Sequence, residues 1–445
     1  MGLKNKDVFP ITGFTNDEQF SFYGNEQYEF TFMQNNLVFS GSGSIESKDG
    51  FLRCVTHQGA QVAINCRSEL PVRGVQKHNT YCFMISNGMT DHEIEYFNEI
   101  TFEGGTLNQL FTPRKANMEP GQEQINVQLS SDAITLHFMV DEETHCEAKV
   151  ESAMAWSMGT GGTELHNTDV RFTMRLDRLK PLPFSLECYR ALLHCMRFMM
   201  NRREVGVDSI TLYELEEGKK HYECGMFDVY IKRMADLSEK DRFRNITFED
   251  LGDSLSKLME MYFLSTDEKR LYSLGFYPAS DSEAHVIDNN TIRSICSALE
   301  FEADQESEVK PELNPELDKL IKGTKKFVKD YRKEHDGISN STYDRIFTSM
   351  NFWSFSARDK IEKLWNLHRH IMMLIQRQYR GEEPSIGEFV KYRNRITHGA
   401  EAFIPENVGL TTLLLRGLVY CCVLKRIGVS EEKMLDMMQY GKVNS

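Results

Sequence analysis

Near its C-terminus the chain reads Phe389-Val390-Lys391-Tyr392-Arg393-Asn394-Arg395-Ile396-Thr397-His398-Gly399. Arginine, asparagine and histidine in this arrangement could do phosphodiester chemistry. Cleaving RNA by transesterification needs a base for the 2′-hydroxyl, an acid for the departing 5′-oxygen, and cations for the charge that builds on phosphorus. A histidine exchanges protons near neutrality and can fill either proton-transfer role. An arginine fork can clamp two non-bridging oxygens at once. Neither task requires a metal, and no cofactor is expected. The candidate catalytic residues are Arg393, Asn394 and His398, with Lys391 and Arg395 supplying positive charge for RNA binding.

The spacing by itself is a chance-level signal. The histidine and arginine frequencies over three allowed spacings give about two accidental hits. Two occur, Arg73–His78 and Arg393–His398. The first follows Pro71 in turn-like, β-rich sequence. The second has a helical frame. Ser385-Ile386-Gly387-Glu388 has the pattern of a capping box, in which Ser and Glu satisfy each other's backbone donors. Pro384 blocks extension backward, and Gly399 is a natural left-handed stop. A helix over 385–398 is expected. Phe389, Val390, Arg393, Ile396 and Thr397 then share one face, while Asn394 and His398 stack on adjoining turns. Arg393 sits at the border, where its long side chain can lean toward His398. The same residues also suit a purely structural end to a basic helix, with Arg393 and His398 capping carbonyls. One helix supplies one histidine, so a two-fold pair would complete the acid–base set. That predicts a homodimer with a shared cleft.

The stretch 389–399 closely resembles the R-N-x-x-x-H signature of HEPN domains. The nearest resemblance is to the Apea-like HEPN group, bacterial proteins associated with anti-phage defence. These join an N-terminal β-rich domain to a C-terminal all-helical HEPN domain, and the order and sizes here are similar. Ser185–Leu215 looks like the end of that N-terminal domain, and Ile292–Glu300 like an early HEPN helix. The resemblance implies a metal-independent endoribonuclease active as a dimer, with Arg393, Asn394 and His398 in the catalytic and supporting positions. A phage-derived or protein trigger would act at the N-terminal domain. The alternative is a non-catalytic HEPN binding or dimerisation module beside a β-rich domain that recognises a protein or glycan.

The elements that must hold such a site follow from pattern. At 445 residues the chain should form two or three domains. Residues 1–240 are expected to form a β-rich N-terminal domain. Its strands are expected at Gln27–Ser40, Phe51–Ile64, Thr80–Ile85, Glu93–Phe102, Ile125–Val140 and Val170–Leu176, separated by turn residues at the short intervals of an antiparallel sandwich. Ser185–Met200 has helical periodicity and reads as a brace on the sheet, with strands at Asp208–Leu215 and Tyr222–Arg233 after it. The glycine-rich pieces Gly41–Ser44 and Gly159–Gly162 lack the Lys-Ser/Thr of a phosphate loop and read as turns. Residues 245–445 are expected to form the all-α bundle. Its helices are expected at Phe248–Leu264, Ile287–Glu302, Pro315–Glu334, Ser341–Met350, Ala357–Arg380, Ser385–His398 and Pro405–Ile427, with Glu300–Pro315 an exposed connection. The fold class is α+β.

Charge supports the same division. The net charge of −14 argues against broad nucleic-acid coating. From residue 311 onward, however, 22 Lys and Arg stand against 17 Asp and Glu. Arg369 and Arg377, on the long helix before the motif, are candidate extensions of the RNA surface. His368 and His370 flank Arg369 but point to different sides of a helix, so joint metal ligation is not expected. One of them could extend the RNA cleft with Arg369, Arg377 and Arg380, but a solvated face with one partly buried histidine fits better. The basic run Lys319–Lys333 reads as an amphipathic surface helix. Trp353 and Trp365 read as core. Ten scattered cysteines without a CxxC pair suit reduced, buried thiols in a cytoplasmic protein. Leu410–Val423, interrupted by Arg416, suits a buried core helix better than a membrane span.

Overall fold

The computed structural model describes side chains over residues 96–111, 133–152, 169–208, 210–215, 245–264, 277–278, 286–311, 314–335, 337–350, 355–379, 381–399, 403–439 and 442, and further strands by their backbone. It is α+β and divides into two compact units, Met1–Thr266 and Asp267–Ser445.

The first unit is built on antiparallel pairing. Its strands are β1 (Leu3–Lys4), β2 (Phe20–Tyr23), β3 (Gln27–Met33), β4 (Asn36–Ser40), β5 (Phe51–Thr56), β6 (Gln61–Ser68), β7 (Gln76–Ser86) and β8 (Tyr96–Glu103). After a short helix α1 (Leu107–Leu110) come β9 (Ile134–Met139), β10 (His145–Glu151), β11 (Met154–Gly159), β12 (Gly162–Asn167) and β13 (Arg171–Pro181). Helix α2 (Phe184–Met200) then leads to β14 (Ser209–Glu216) and β15 (Lys219–Asp228). Hydrogen bonding runs β4-β3-β2-β5-β6-β7-β15-β14-β8-β13-β10-β9, and β4 also pairs with β7. Two expected long strands, 27–40 and 51–64, are each a hairpin. Strand β10 was not expected. Gly159 of β11 pairs with Gly162 of β12, whereas 160–161, where a turn was expected, and 41–44, 73–75 and 125–132 lie outside the described residues.

Alternation explains the described part of this sheet. Strand β10 buries Cys146, Ala148 and Val150 and exposes the residues between them. Between β8 and β13, Phe102 faces Phe172 and Ile100 faces Met174 on the buried side. On the outer side the register sets Glu103 against Arg171 and Glu99 against Arg175 as cross-strand ion pairs. The buried face is covered by helix. Helix α2 braces it, with Tyr189 stacked on Phe102 at 6.0 Å. Two more helices follow, α3 (Phe248–Leu251) and α4 (Ser254–Leu264). Phe263 of α4 stacks on Phe138 of β9 at 5.9 Å, and Phe248 on Phe172 at 6.0 Å. Residues 245–264 therefore complete the β-rich unit instead of opening the helical one, and the boundary falls later than 240–245. The expected single helix 248–264 breaks at Gly252, whose φ of 51° ends α3.

The second unit is helical. Its elements are α5 (Asn289–Gln305), α6 (Pro315–Glu334), α7 (Asn340–Asn351), α8 (Ala357–Leu367), α9 (Arg369–Gln378), α10 (Ile386–Thr397), α11 (Glu406–Ile427) and α12 (Glu431–Gln439). Helix α11 is the axis. It has the length and composition of a membrane span, but 78% of its apolar window is buried inside the protein, so it serves as a core helix. Helices α5, α9, α10 and α12 pack against it. Of the connection expected over 300–315, residues up to Gln305 belong to α5, where Glu302 and Ala303 are buried; beyond it the described residues are mostly exposed as expected, apart from buried Val309. Glu302 accepts two hydrogen bonds from Arg426 at 2.7 and 3.0 Å. Trp365 is core as expected, while Trp353 lies outside the described residues. The six cysteines with described side chains are all free and buried.

The expected helix 357–380 is two helices, broken at His368. This residue caps α8 with φ −100° and ψ 14°, and the bend lets Leu364 and Trp365 before it and Ile371 and Met372 after it all be buried. His368 is itself buried, and its Nε2 has no hydrogen-bond partner among the described residues. Burial, with Lys425 adding to it, pushes its pKa down from 6.5 to about 4, against the pull of Glu306 and Glu308. The unfolded chain therefore takes up this proton before the folded one does. The contribution of neutral His368 to stability is intact above pH 6.5 and is lost as pH falls through about 4. In urea unfolding, the wild type should lose up to roughly 3 kcal/mol more than His368→Leu between neutral pH and pH ~4. Parallel stability–pH curves for the two proteins would refute this assignment.

Candidate active site

Helix α10 is held by its buried side, comprising Ile386, Phe389, Val390, Tyr392 and Ile396. It packs against α5, α8 and α11. Its start differs from the expected capping box. Ser385 makes no side-chain cap, and its backbone N–H donates to Thr411 Oγ1 of α11 at 2.9 Å. The acceptor that Glu388 was expected to provide is thus supplied by a neighbouring helix. Glu388 is left to pair with Lys391 at 2.8 Å. The end is as expected: His398 is the C-cap and Gly399 follows with φ +84°, a conformation that glycine adopts without steric cost.

One face of α5 reads the polar edge of α10. Asn289, Arg293, Cys296 and Glu300 recur at helical spacing along it. Tyr392 donates its hydroxyl to Asn289 Oδ1 at 3.1 Å. Arg293 donates to the Ile396 carbonyl oxygen, satisfying one of the carbonyls that a helix end leaves unpaired. Arg393 donates to Glu300 Oε2 at 2.6 Å and to Asn394 Oδ1 at 3.1 Å. It also donates toward the Cys296 sulfur. Burial first, then Glu300, pushes that thiol up to about 12, with Arg393 opposing.

These contacts decide the posture of Arg393. Its guanidinium is drawn across to Glu300 on α5 and does not lean on His398, because the carboxylate offers a half-buried countercharge that the imidazole lacks. Thr397 is also exposed, not part of the buried face, and bonds the Arg393 carbonyl at 2.8 Å. Asn394, Arg395 and His398 are exposed. His398 donates its backbone N–H to the carbonyls of Asn394 and Arg395, and its ring has no partner among the described residues.

The motif is therefore one connected patch: Arg393 half-buried and braced, Asn394 tied to it, and His398 and Arg395 open to solvent. Arg369 and Arg377 are not gathered into it. They lie on α9, which packs against α11 and α12. Arg369 pairs with Glu383 at 3.3 Å, and neighbouring His370 pairs with Glu431 at 2.7 Å. The residues that sequence reasoning missed are Arg293 and Glu300. Both lie in or beside the IRSICSALE segment, and their seven-residue separation places them on one helix face. No group of three His, Cys, Asp or Glu suited to a metal ion occurs among the described residues.

Replacing Glu300 by Gln should remove the charge that anchors Arg393. The expected loss is roughly 1–2 kcal/mol for a half-buried, charge-assisted contact, with faster amide exchange at residues 393–398. An unfolding midpoint and exchange pattern identical to wild type would show that the ion pair does not order the patch. The chain matches no protein-family model, no curated protein and no solved structure.

Proposed function

We propose that the second unit is a metal-independent endoribonuclease of the HEPN type, acting in anti-phage defence in the cytoplasm under the control of the β-rich unit. The observation that carries this reading is the combination on one helix end of a solvent-open His398 with a braced Arg393–Asn394 pair. In the proposed reaction the 2′-oxygen attacks phosphorus as a base takes its proton. The bond to the 5′-oxygen breaks as an acid returns a proton to it, leaving a 2′,3′-cyclic phosphate and a 5′-hydroxyl. His398 performs one of these transfers and His398 of the second copy performs the other, in a homodimer whose cleft carries both patches. Arg393 stabilises the phosphorane through the donors that Glu300 does not occupy, and Asn394 contributes its amide donors. Arg395 and Lys391 attract the RNA backbone. Arg369 and Arg377 belong to this reading only as outlying charges.

The ion pair between Arg393 and Glu300 favours a second reading, in which the patch is structural and the bundle serves binding or dimerisation. Cleavage separates the two. Purified wild-type protein in EDTA should cut RNA to cyclic-phosphate ends, and His398→Ala and Arg393→Ala should each lower the rate at least about a hundredfold. Equal cleavage by wild type and His398→Ala, or binding without any cleavage, would leave the second reading standing.

A further inference from the structure

Helix α6 is conspicuous for how little of it is used by the fold. Of its twenty residues only Ile321 is buried. Its packing partner is α7, which it meets through Arg332, placed over the Tyr343 ring at 5.5 Å and bonded to Asn340 Oδ1 at 2.8 Å. The remaining surface has two distinct faces. Lys319, Lys322, Lys326, Lys329 and Lys333 recur at spacings of three and four, which places them in one stripe. At about 1.5 Å per residue the stripe runs roughly 21 Å. Lys319, Lys322 and Lys333 have exposed acidic neighbours on the same helix, pairs that hold a charge only weakly in water. Lys326 and Lys329 form no ion pair among the described residues.

The other face is aromatic and open. Leu320 is 59% exposed, Phe327 67% and Tyr331 38%. Phe327, Tyr331 and His335 follow at intervals of four and form a ladder. The Phe327 and Tyr331 rings lie 6.1 Å apart, and Tyr331 stacks on His335 at 3.9 Å with 3° between planes. A fold that needed these rings for its core would have covered them.

We infer that α6 is a binding surface for single-stranded RNA, its lysine stripe following the phosphates and its Phe327–Tyr331–His335 ladder receiving bases. The occupant has to bring repeated negative charge and flat apolar faces together. A single strand does this, and flat faces stack on aromatic side chains whatever the base. A duplex keeps its base faces stacked inside. An anionic bilayer would satisfy the lysines, but the open apolar face offers only three large side chains and is interrupted by Glu316, Thr324 and Glu334, too narrow a strip for insertion. The inference rests on the ribonuclease reading for its choice of RNA, and binding is measured apart from cleavage.

The test uses the full chain carrying His398→Ala, so that bound RNA is not consumed, and a fluorescent uridine oligomer followed by anisotropy. Adding Lys326→Glu and Lys329→Glu should weaken binding at least about tenfold and reduce the slope of log K against log salt by roughly 1.4, for two lost phosphate contacts on a single strand. Phe327→Ala should weaken binding about fivefold or more while leaving the slope unchanged. Helicity by circular dichroism should be the same in all proteins, since every altered side chain is exposed. Unchanged affinity in both variants overturns the inference. So does loss of binding to phosphatidylserine vesicles in the lysine variant while oligomer binding is retained, which would assign α6 to a membrane. If the oligomer is bound through α6 but wild type never cleaves RNA, the ribonuclease reading falls and this one stands.

Discussion

The second unit depends on the burial of α11. Fifteen of its twenty-two residues are buried, and their removal from water is the main driving force available to organise the surrounding helices. Two buried threonines on this rod illustrate how its polar groups are accommodated. Thr412 settles this locally by donating to the Val408 carbonyl at 2.7 Å. Thr411 donates to the Asn407 carbonyl and also accepts from the backbone of Ser385. That second bond ties the start of α10 to the core. The position of the Arg393–His398 patch is thus a consequence of how the core helix satisfies a buried hydroxyl.

From that anchor, α5 governs the electrostatics of the patch. Asn289 and Arg293 secure Tyr392 and the last turn of α10, and Glu300 takes hold of Arg393. Arg393 is preorganised in a fixed fork, at the cost of having part of its charge already answered. In the proposed reaction, a phosphate would meet directed donors there more than a bare cation. The proposed chemistry accordingly leans on geometry at Arg393 and on the solvent-open imidazole of His398. Among the described residues, positive charge without an ion pair includes Arg395 and, on α6, Lys326 and Lys329.

Much of this was readable from the chain. The periodicity of 315–334 predicted α6 to the residue, and Pro384 with Gly399 bounded α10 to within one residue at each end. Those signals are local: proline geometry, a left-handed glycine, an apolar stripe. Where sequence reading failed, the missing information was tertiary. The capping pattern at Ser385 and Glu388 was real as a pattern but unnecessary once Thr411 supplied the acceptor. The helix 357–380 looked continuous because no proline or glycine interrupts it, and it bends at His368 because both halves have apolar faces to bury. The helices at 248–264 looked like the start of the bundle, yet they finish the sheet because Phe248 and Phe263 find their partners on β13 and β9.

By itself, the sequence determined where the helix bearing Arg393, Asn394 and His398 begins and ends, to within a residue, and that Asn394 and His398 lie one turn apart. These follow from backbone stereochemistry and the 3.6-residue period, which need no knowledge of distant contacts. The tertiary structure alone decided that Arg393 answers to Glu300, that Arg293 closes the helix end, that His368 is buried and His398 is not, and that Arg369 pairs with Glu383 outside the patch. Charges in a folded protein are set by what long-range packing brings within a few ångströms, and that proximity is written in no local pattern.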